Sequence, residues 1–436
     1  MNRLALLGGE KAVREPFPEW PIWDRSDRQA VVDVLESGKW WMYAYGEAEL
    51  GSEADGAGPR SQVEQFEEEL AAFHHVKHAI AVTNGSTALD ICMRAIDLAA
   101  GDEVITTPYT FFATSQCILN ADALPVYVDI DPETYNIDVT KIEEAITPRT
   151  RAIMPVHFSG ELADVEAIGR IADRHGLRFI EDAAQSQGVS LRGDRFVGSF
   201  GDAAIFSFQA SKCLTCGEGG AIITDSDEFA EAAWSLRHYG RVKNGLWYEH
   251  HRLAANSRMT EFQGALLRTQ LRRLGEQNSR RMENVDYFYK KMEEVEGLTP
   301  VNLHPDAKTH SHYLVMLRYD ASRWGGLSRD IFLEALNAEG VPAFAGYSFL
   351  NFQNPVFYRL DLTSAQSPYM AGRQKPIDYR DFLEKCPNAD RACREEAVWL
   401  MHQLFLGNIS HVDAIIRAIV KIKEQQAELH TSRVGQ

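Results

Sequence analysis

Short apolar runs rich in β-branched residues recur through the first half of the chain, at 79–82, 103–106, 125–128, 151–156, 178–181, 203–208 and 221–224. Runs of this length read as strands, and most of the stretches between them are long enough for a crossover helix. Strands alternating with helices predict a largely parallel sheet covered on both faces, an α/β fold. Ahead of the first run, Val63, Phe66, Leu70 and Phe73 share one helical face and are assigned to the core. Residues 1–60 read differently. Two aromatic-rich clusters, FPEWPIWD and WWMYAYG, flank one short helix over 26–36 with a Ser26/Gln29 capping box, and a Gly- and Ala-rich surface loop follows over 46–59. Beyond a long helical region over 260–296 the pattern becomes mixed, with a strand in SHYLVMLRYD and a closing helix over 415–426. The expected units are an N-terminal arm and active-site loop at 1–60, a large domain at 61–296 and a smaller C-terminal α+β domain at 297–436. There is no internal repeat and no low-complexity tract.

Charge narrows the range of partners. The 45 Lys and Arg against 62 Asp and Glu leave a formal charge of -17, and no dense basic run offsets it, which argues against nucleic acid and anionic membrane surfaces. The N-terminal apolar stretch is short and broken by charges, so it is neither a secretory segment nor a membrane span, and the cytoplasm is the expected compartment. Six cysteines in 436 residues are too few for a disulfide framework, and reduced thiols are expected.

In an open α/β sheet, ligands bind beyond the carboxyl ends of the strands, so the residues there carry the candidate chemistry. After 79–82 comes Thr83-Asn84-Gly85-Ser86-Thr87-Ala88-Leu89, a turn opening a helix whose amides and hydroxyls can hold a phosphate or serve as a plain N-cap. After 178–181 comes Asp182, which either caps the Ala183-Ala184-Gln185 turn or meets a cation such as a protonated ring nitrogen. After 203–208 comes Gln209-Ala210-Ser211-Lys212 and then Gly217-Glu218-Gly219-Gly220. A lysine placed there can be partly desolvated, which favours attack on a carbonyl, although most lysines are simply solvated.

The order and spacing of Asp182, Ser207, Lys212 and GEGG settle the choice. With TNGSTAL, TPYTFFATS, PVYVDIDPETYNID, MPVHFSGELAD, IEDAAQSQG, VGSFGDAAIFSFQASKCLTCGEGG and NSRMTEFQGALL, the chain resembles the DegT/StrS-type family of aminotransferases, which aminate ketosugars and keto-cyclitols, from about residue 16 to about 425. The resemblance implies pyridoxal 5'-phosphate as cofactor and the type I fold of pyridoxal-phosphate-dependent transferases, similar to aspartate aminotransferase. Carried over to this sequence, it implies that Lys212 bonds to the cofactor and serves as acid and base, and that Asp182 pairs with the ring nitrogen. It further implies Phe111 stacking on the ring, Gln185 beside it, and Ser86, Thr87 and Ser207 on the phosphate. Asn256 would reach in from a second subunit, making a homodimer with composite sites.

Gln185 and Gln209 stand where many members carry His, and Gln at the second position also occurs in 3-amino-5-hydroxybenzoate synthases and in glutamine-dependent scyllo-inosose aminotransferases. The resemblance thus implies L-glutamine or L-glutamate as donor and a keto-cyclitol or ketosugar as acceptor, with a dehydroshikimate-type acid or a nucleotide ketosugar as alternatives. Sugar dehydratases of this fold replace the lysine by histidine, and a non-catalytic relative would have lost Lys212 or Asp182. Cys213 and Cys216 form a lone C-x-x-C, weak grounds for a metal, and none is expected. The His74, His75 and His78 cluster reads as a solvated helix end, and His250-His251 as a polar loop.

Overall fold

The structure is a computed structural model that describes residues 3–42, 60–192, 195–243, 245–246 and 248–433. Its first half supplies α1 (Arg25–Ser37), α2 (Gln62–His74), β1 (His78–Val82), α3 (Gly85–Ala95), β2 (Glu103–Thr106), α4 (Ala113–Asn120), β3 (Leu124–Tyr127), β4 (Thr150–Ile153), α5 (Val165–His175), β5 (Arg178–Asp182), β6 (Ser190–Leu191), β7 (Ala203–Ser207) and β8 (Gly220–Thr224). Each expected strand is present, with ends shifted by a few residues at most.

Seven of these strands form one sheet in the order β1-β8-β7-β5-β4-β2-β3. The pairings from β7 through to β3 are parallel, whereas β8 runs antiparallel to both β1 and β7. One face is covered by α3, α4 and the following α6 (Asp227–Arg237), through a core that includes Ile91, Met93, Ile118 and Phe229. The other is covered by α2, α5 and the long α7 (Glu261–Met292), through Phe66, Leu70, Ile168, Leu267 and Leu271. Burial on both faces accounts for strands that are apolar throughout rather than alternating.

The later chain adds β9 (Leu298–Pro300), β10 (Ala307–Thr309), β11 (Leu314–Tyr319), α8 (Arg329–Ala338), β12 (Ala343–Phe344), the short α9 (Phe382–Lys385) and α10 (Pro387–Arg391), β13 (Ala397–Met401) and α11 (Ile409–Glu424). Strands β12-β13-β11-β9 make a second, antiparallel sheet with its own core against α8 and α11, built on Val315, Leu317, Phe332, Val398 and Ile415. Phe352, Phe357, Tyr379 and Phe382 leave that core and pack with Tyr127 of β3 on the first sheet.

Two sequence expectations are corrected. The box that starts α1 is Asp24 with Asp27, not Ser26 with Gln29, because Asp24 accepts from the Ser26 amide and Asp27 turns back onto the Asp24 amide, 2.8 Å away. His74 is not solvated: it is buried against Phe206 and Phe196, its Nδ1 lies 3.1 Å from the Val197 carbonyl, and burial lowers its pKa to about 4. The α2 helix turns that residue inward because it shares the face of Phe66 and Leu70.

Candidate active site

The strand ends β1, β5 and β7 open into one cavity of about 710 Å³, walled by the Asn84 turn, Thr110 to Thr114, Asp182 to Gln185, the Ser207 to Lys212 loop, Glu218 and Tyr313. Asp182 ends β5 and is 3% exposed. One carboxylate oxygen accepts from the Thr114 hydroxyl at 2.8 Å and the other from the Ala184 amide at 3.2 Å. Asp182 therefore does cap the turn, yet burial still pushes its pKa upward against those hydrogen bonds and the charge of Lys212. A cation inside the cavity would offset that burial.

Lys212 is half-buried, with its backbone amide bonded to the Gln209 carbonyl at 2.8 Å and its Nζ 4.1 Å from the centre of the Tyr313 ring. Ser207 is buried at the end of β7, and Ser86 is exposed to the cavity at the start of α3. The turn and the strand approach so closely that a Cβ on Gly85 would stand 2.7 Å from the Ser207 Cβ. Asn84 caps α3 by accepting from the Thr87 amide at 2.8 Å, and the first-turn amides of Gly85 and Ser86, both in the cavity lining, have no acceptor within the helix. Phe111 lines the cavity with 64% of its surface exposed, an apolar face with room for a flat partner. Gln185 is buried, and its side-chain oxygen accepts from the Ser159 amide at 2.9 Å.

Two expected residues lie elsewhere. The Thr87 hydroxyl takes a 3.2 Å hydrogen bond from Thr83 and lines a separate cleft with Asp90, Arg94 and Ser257. Asn256 is exposed on the surface of the same chain, its backbone paired antiparallel with that of the buried His238. The C-x-x-C thiols diverge, the buried Cys213 toward the Ser311 carbonyl and Cys216 toward the Glu218 carbonyl. His78 pairs with Asp227 at 2.7 Å, and His250 bonds the Tyr239 carbonyl at 2.8 Å.

Sequence reasoning passed over Thr114, Gln187 and Tyr313. Gln187 joins the turn after β5 to the end of β7, from which the Lys212 loop leaves, donating to the carbonyls of Ala184 at 3.1 Å and Ser207 at 2.7 Å. Thr114 and Gln187 lie inside TPYTFFATS and IEDAAQSQG and were within reach of the motif reading. Tyr313 lies about a hundred residues beyond Lys212, in a stretch read as an ordinary strand, and carries no local signal.

A model of the DegT/DnrJ/EryC1/StrS aminotransferase family matches residues 52–371. The chain belongs to that family. A protein of Streptoalloteichus tenebrarius named provisionally as an L-glutamine:3-amino-2,3-dideoxy-scyllo-inosose aminotransferase is 38% identical over 431 residues, covering 97% of this chain and 98% of that protein. The L-glutamine:2-deoxy-scyllo-inosose aminotransferase of the same organism is 33% identical over 442 residues, covering 98% and 99%. Among solved structures, that of 3-amino-5-hydroxybenzoic acid synthase aligns with a TM-score of 0.81 at 32% identity, covering 94% of this chain and 99% of that one. The chain is thus a family aminotransferase on the type I fold, as its sequence implied.

Proposed function

We propose that this aminotransferase uses pyridoxal 5'-phosphate to move an amino group from L-glutamine or L-glutamate to a keto-cyclitol, as a cytoplasmic homodimer. The observation that carries the reading is the convergence of buried Asp182, Lys212 and the open amide turn at Gly85 and Ser86 on one cavity. The residues present fit the cofactor: a carboxylate whose burial calls for a cation, an exposed aromatic face at Phe111, and amides and hydroxyls at Ser86 and Ser207 suited to a phosphate. When bound, the cofactor supplies the electron sink that makes the donor's α-proton acidic.

The chain's own residues do the rest. Lys212 takes the α-proton of the donor on its amine and returns a proton when the acceptor is aminated, so one group is base and then acid. Asp182 keeps a negative charge at the cavity floor, fixed by Thr114 and Ala184, and favours a protonated ring nitrogen beside it. Gln187 holds the turn after β5 against the end of β7, and Gln185 ties that turn to the Ser159 amide beyond β4.

Relatives named for scyllo-inosose substrates support the cyclitol. So does the wall itself: among the described lining residues Lys212 is the single Lys or Arg, and the others are neutral or acidic. The likeness to 3-amino-5-hydroxybenzoic acid synthase favours a second reading, a dehydroshikimate-type acid, whose carboxylate would need a cation from outside this wall. Support for the homodimer comes from the exposed Trp40, Trp41, Tyr239, Leu246, Tyr248 and Leu253. The Arg258 guanidinium, two residues along the chain from Asn256, lies 5.3 Å from the Trp41 ring and 5.6 Å from the Tyr239 ring; the rest of the second aromatic cluster, from residue 43 on, lies outside the described residues. In the dimer, Asn256 would complete the partner's phosphate site. The second sheet's own core supports a smaller C-terminal unit, to which Leu4 of the N-terminal arm and Val285, Phe288 and Met292 of α7 also contribute.

Borohydride reduction of the yellow enzyme should fix the label on Lys212, and Lys212→Ala should abolish turnover. A label mapping to another lysine would end the proposal. With L-glutamine as donor, a panel of keto-cyclitols, dehydroshikimate-like acids and nucleotide ketosugars should show turnover with the cyclitols, and turnover confined to an acid would replace the substrate reading by the second one.

A further inference from the structure

Three regions far apart in sequence meet on residues 210–212. The Trp20 indole donates to the Ala210 carbonyl at 2.9 Å. His402 is buried and its pKa is driven well below the usual value, first by burial and then by the charges of Arg281 and Lys212, so its ring is neutral and its Nε2 donates to the Ser211 carbonyl at 3.0 Å. The third region is the residue just before β11, Tyr313.

The hydrogen bonds fix which way Tyr313 points. Gln209 Oε1 accepts from the Ser211 amide at 2.8 Å and from the Ser211 hydroxyl at 2.7 Å. With its own proton so used, Ser211 Oγ can only accept from the Tyr313 hydroxyl, 3.1 Å away. The backbone end of Tyr313 is equally constrained: a Cβ on Gly160 would stand 2.8 Å from the Tyr313 amide, and the neighbouring Ser311 hydroxyl donates to the Gln185 carbonyl at 2.8 Å. The ring is therefore tied to the Lys212 loop at its tip, while its backbone packs on Gly160 and the chain two residues before it is tied to the turn after Asp182, with the Lys212 Nζ 4.1 Å from the ring centre. An ammonium over a tyrosine face is attracted by the ring quadrupole.

We propose that Tyr313 is a positioning residue for Lys212: its ring face is where the amine rests whenever it is not bonded to the cofactor, and the Ser211 tether holds the ring in place. This rests on the reading of Lys212 as the acid and base of the reaction. A resting place matters because the lysine must leave and return during each half-reaction, and an amine kept in one position returns without a search over rotamers.

The test compares Tyr313→Phe, which keeps the face and loses the tether, with Tyr313→Leu, which loses the face, and with Ser211→Ala, which removes the anchor. In the cofactor-free proteins, acetic anhydride labelling of Lys212 is followed by peptide mapping and normalised to exposed lysines. The Leu variant should label about tenfold faster than wild type, and the Phe and Ala variants about twofold to threefold faster, since a face worth roughly one factor of ten is lost only in the first. In the loaded enzyme the half-reaction with L-glutamine should slow about tenfold in Tyr313→Leu and recover most of that in Tyr313→Phe. Wild-type labelling of Lys212 in the Leu variant, or equal defects in Leu and Phe, overturns the proposal. If the Leu variant does not fold, unchanged labelling in Ser211→Ala overturns it as well. The labelling needs neither cofactor nor substrate, so it stays readable even where borohydride mapping refutes the catalytic role of Lys212.

Discussion

Asp182 does two jobs at once, and separating them is the sharpest test of its charge. Its oxygens accept from Thr114 and Ala184, a structural role that asparagine can largely keep, since Asn caps about as well as Asp. Its negative charge is another matter, because burial alone favours the neutral acid and an ionised form there has to be balanced. Asp182→Asn should fold, take up the cofactor on Lys212 and still show a single-turnover rate with L-glutamine reduced by about a hundredfold or more, each roughly 1.4 kcal/mol of lost transition-state stabilisation costing a factor of ten. A half-reaction within a few-fold of wild type would leave Asp182 as a turn cap only. Tyr313 illustrates the opposite case, a residue whose place is set by its tertiary contacts to Ser211 and Gly160 rather than by any pattern around it.

At the scale of elements, much of the architecture was legible because each strand of the first sheet is buried on both faces and so reads as a short apolar run between turn residues. What was not legible depended on pairing partners. The reversal of β8 between β1 and β7 follows from the short return after Ser207 through GEGG, and the apolar run at 221–224 looks the same in either direction. Phe357, Tyr379 and Phe382 pack on β3 from more than two hundred residues away, and their own sequence surroundings do not announce it. The glycines of the two key turns, in contrast, have a reason that the structure supplies. A Cβ on Gly220 would stand 2.4 Å from the Asn84 carbonyl carbon, and one on Gly85 would stand 2.7 Å from the Ser207 Cβ, so both turns depend on missing side chains to meet. Gly85→Ala should therefore push the turn off β7, costing about 1–3 kcal/mol of stability and weakening cofactor binding about tenfold or more. Titration of pyridoxal phosphate into the cofactor-free variant checks it, and wild-type affinity would show that the turn does not set the phosphate site.

For the whole molecule, acid should be damaging earlier than the carboxylates alone would make it. His74 is fully packed with its pKa lowered to about 4 from an ordinary 6.5, so between those values the unfolded chain takes up a proton that the folded one refuses. Stability from this group is complete above about 6.5 and falls as the pH drops toward 4, by up to about 3 kcal/mol. Urea unfolding at several pH values should show a shallower loss between pH 7 and 4.5 in His74→Phe than in wild type, and parallel slopes would remove His74 as the cause. The same scale decides how many chains make one site. Asn256 lies outside its own chain's cavity, next to the exposed Tyr239, whose amide bonds the Ala255 carbonyl, on a face that a second chain would cover in a dimer. A two-fold interface is self-complementary, so each protomer would lend Asn256 to the other and borrow the partner's in return. Lys212→Ala and Asn256→Ala should then each be impaired alone, yet mixing and re-equilibrating them should create hybrids in which one site receives both intact residues. Random pairing makes half of the dimers hybrid, so roughly a quarter of the wild-type activity should return. No recovery from a mixture that sedimentation shows to have exchanged subunits would place Asn256 outside the partner's site.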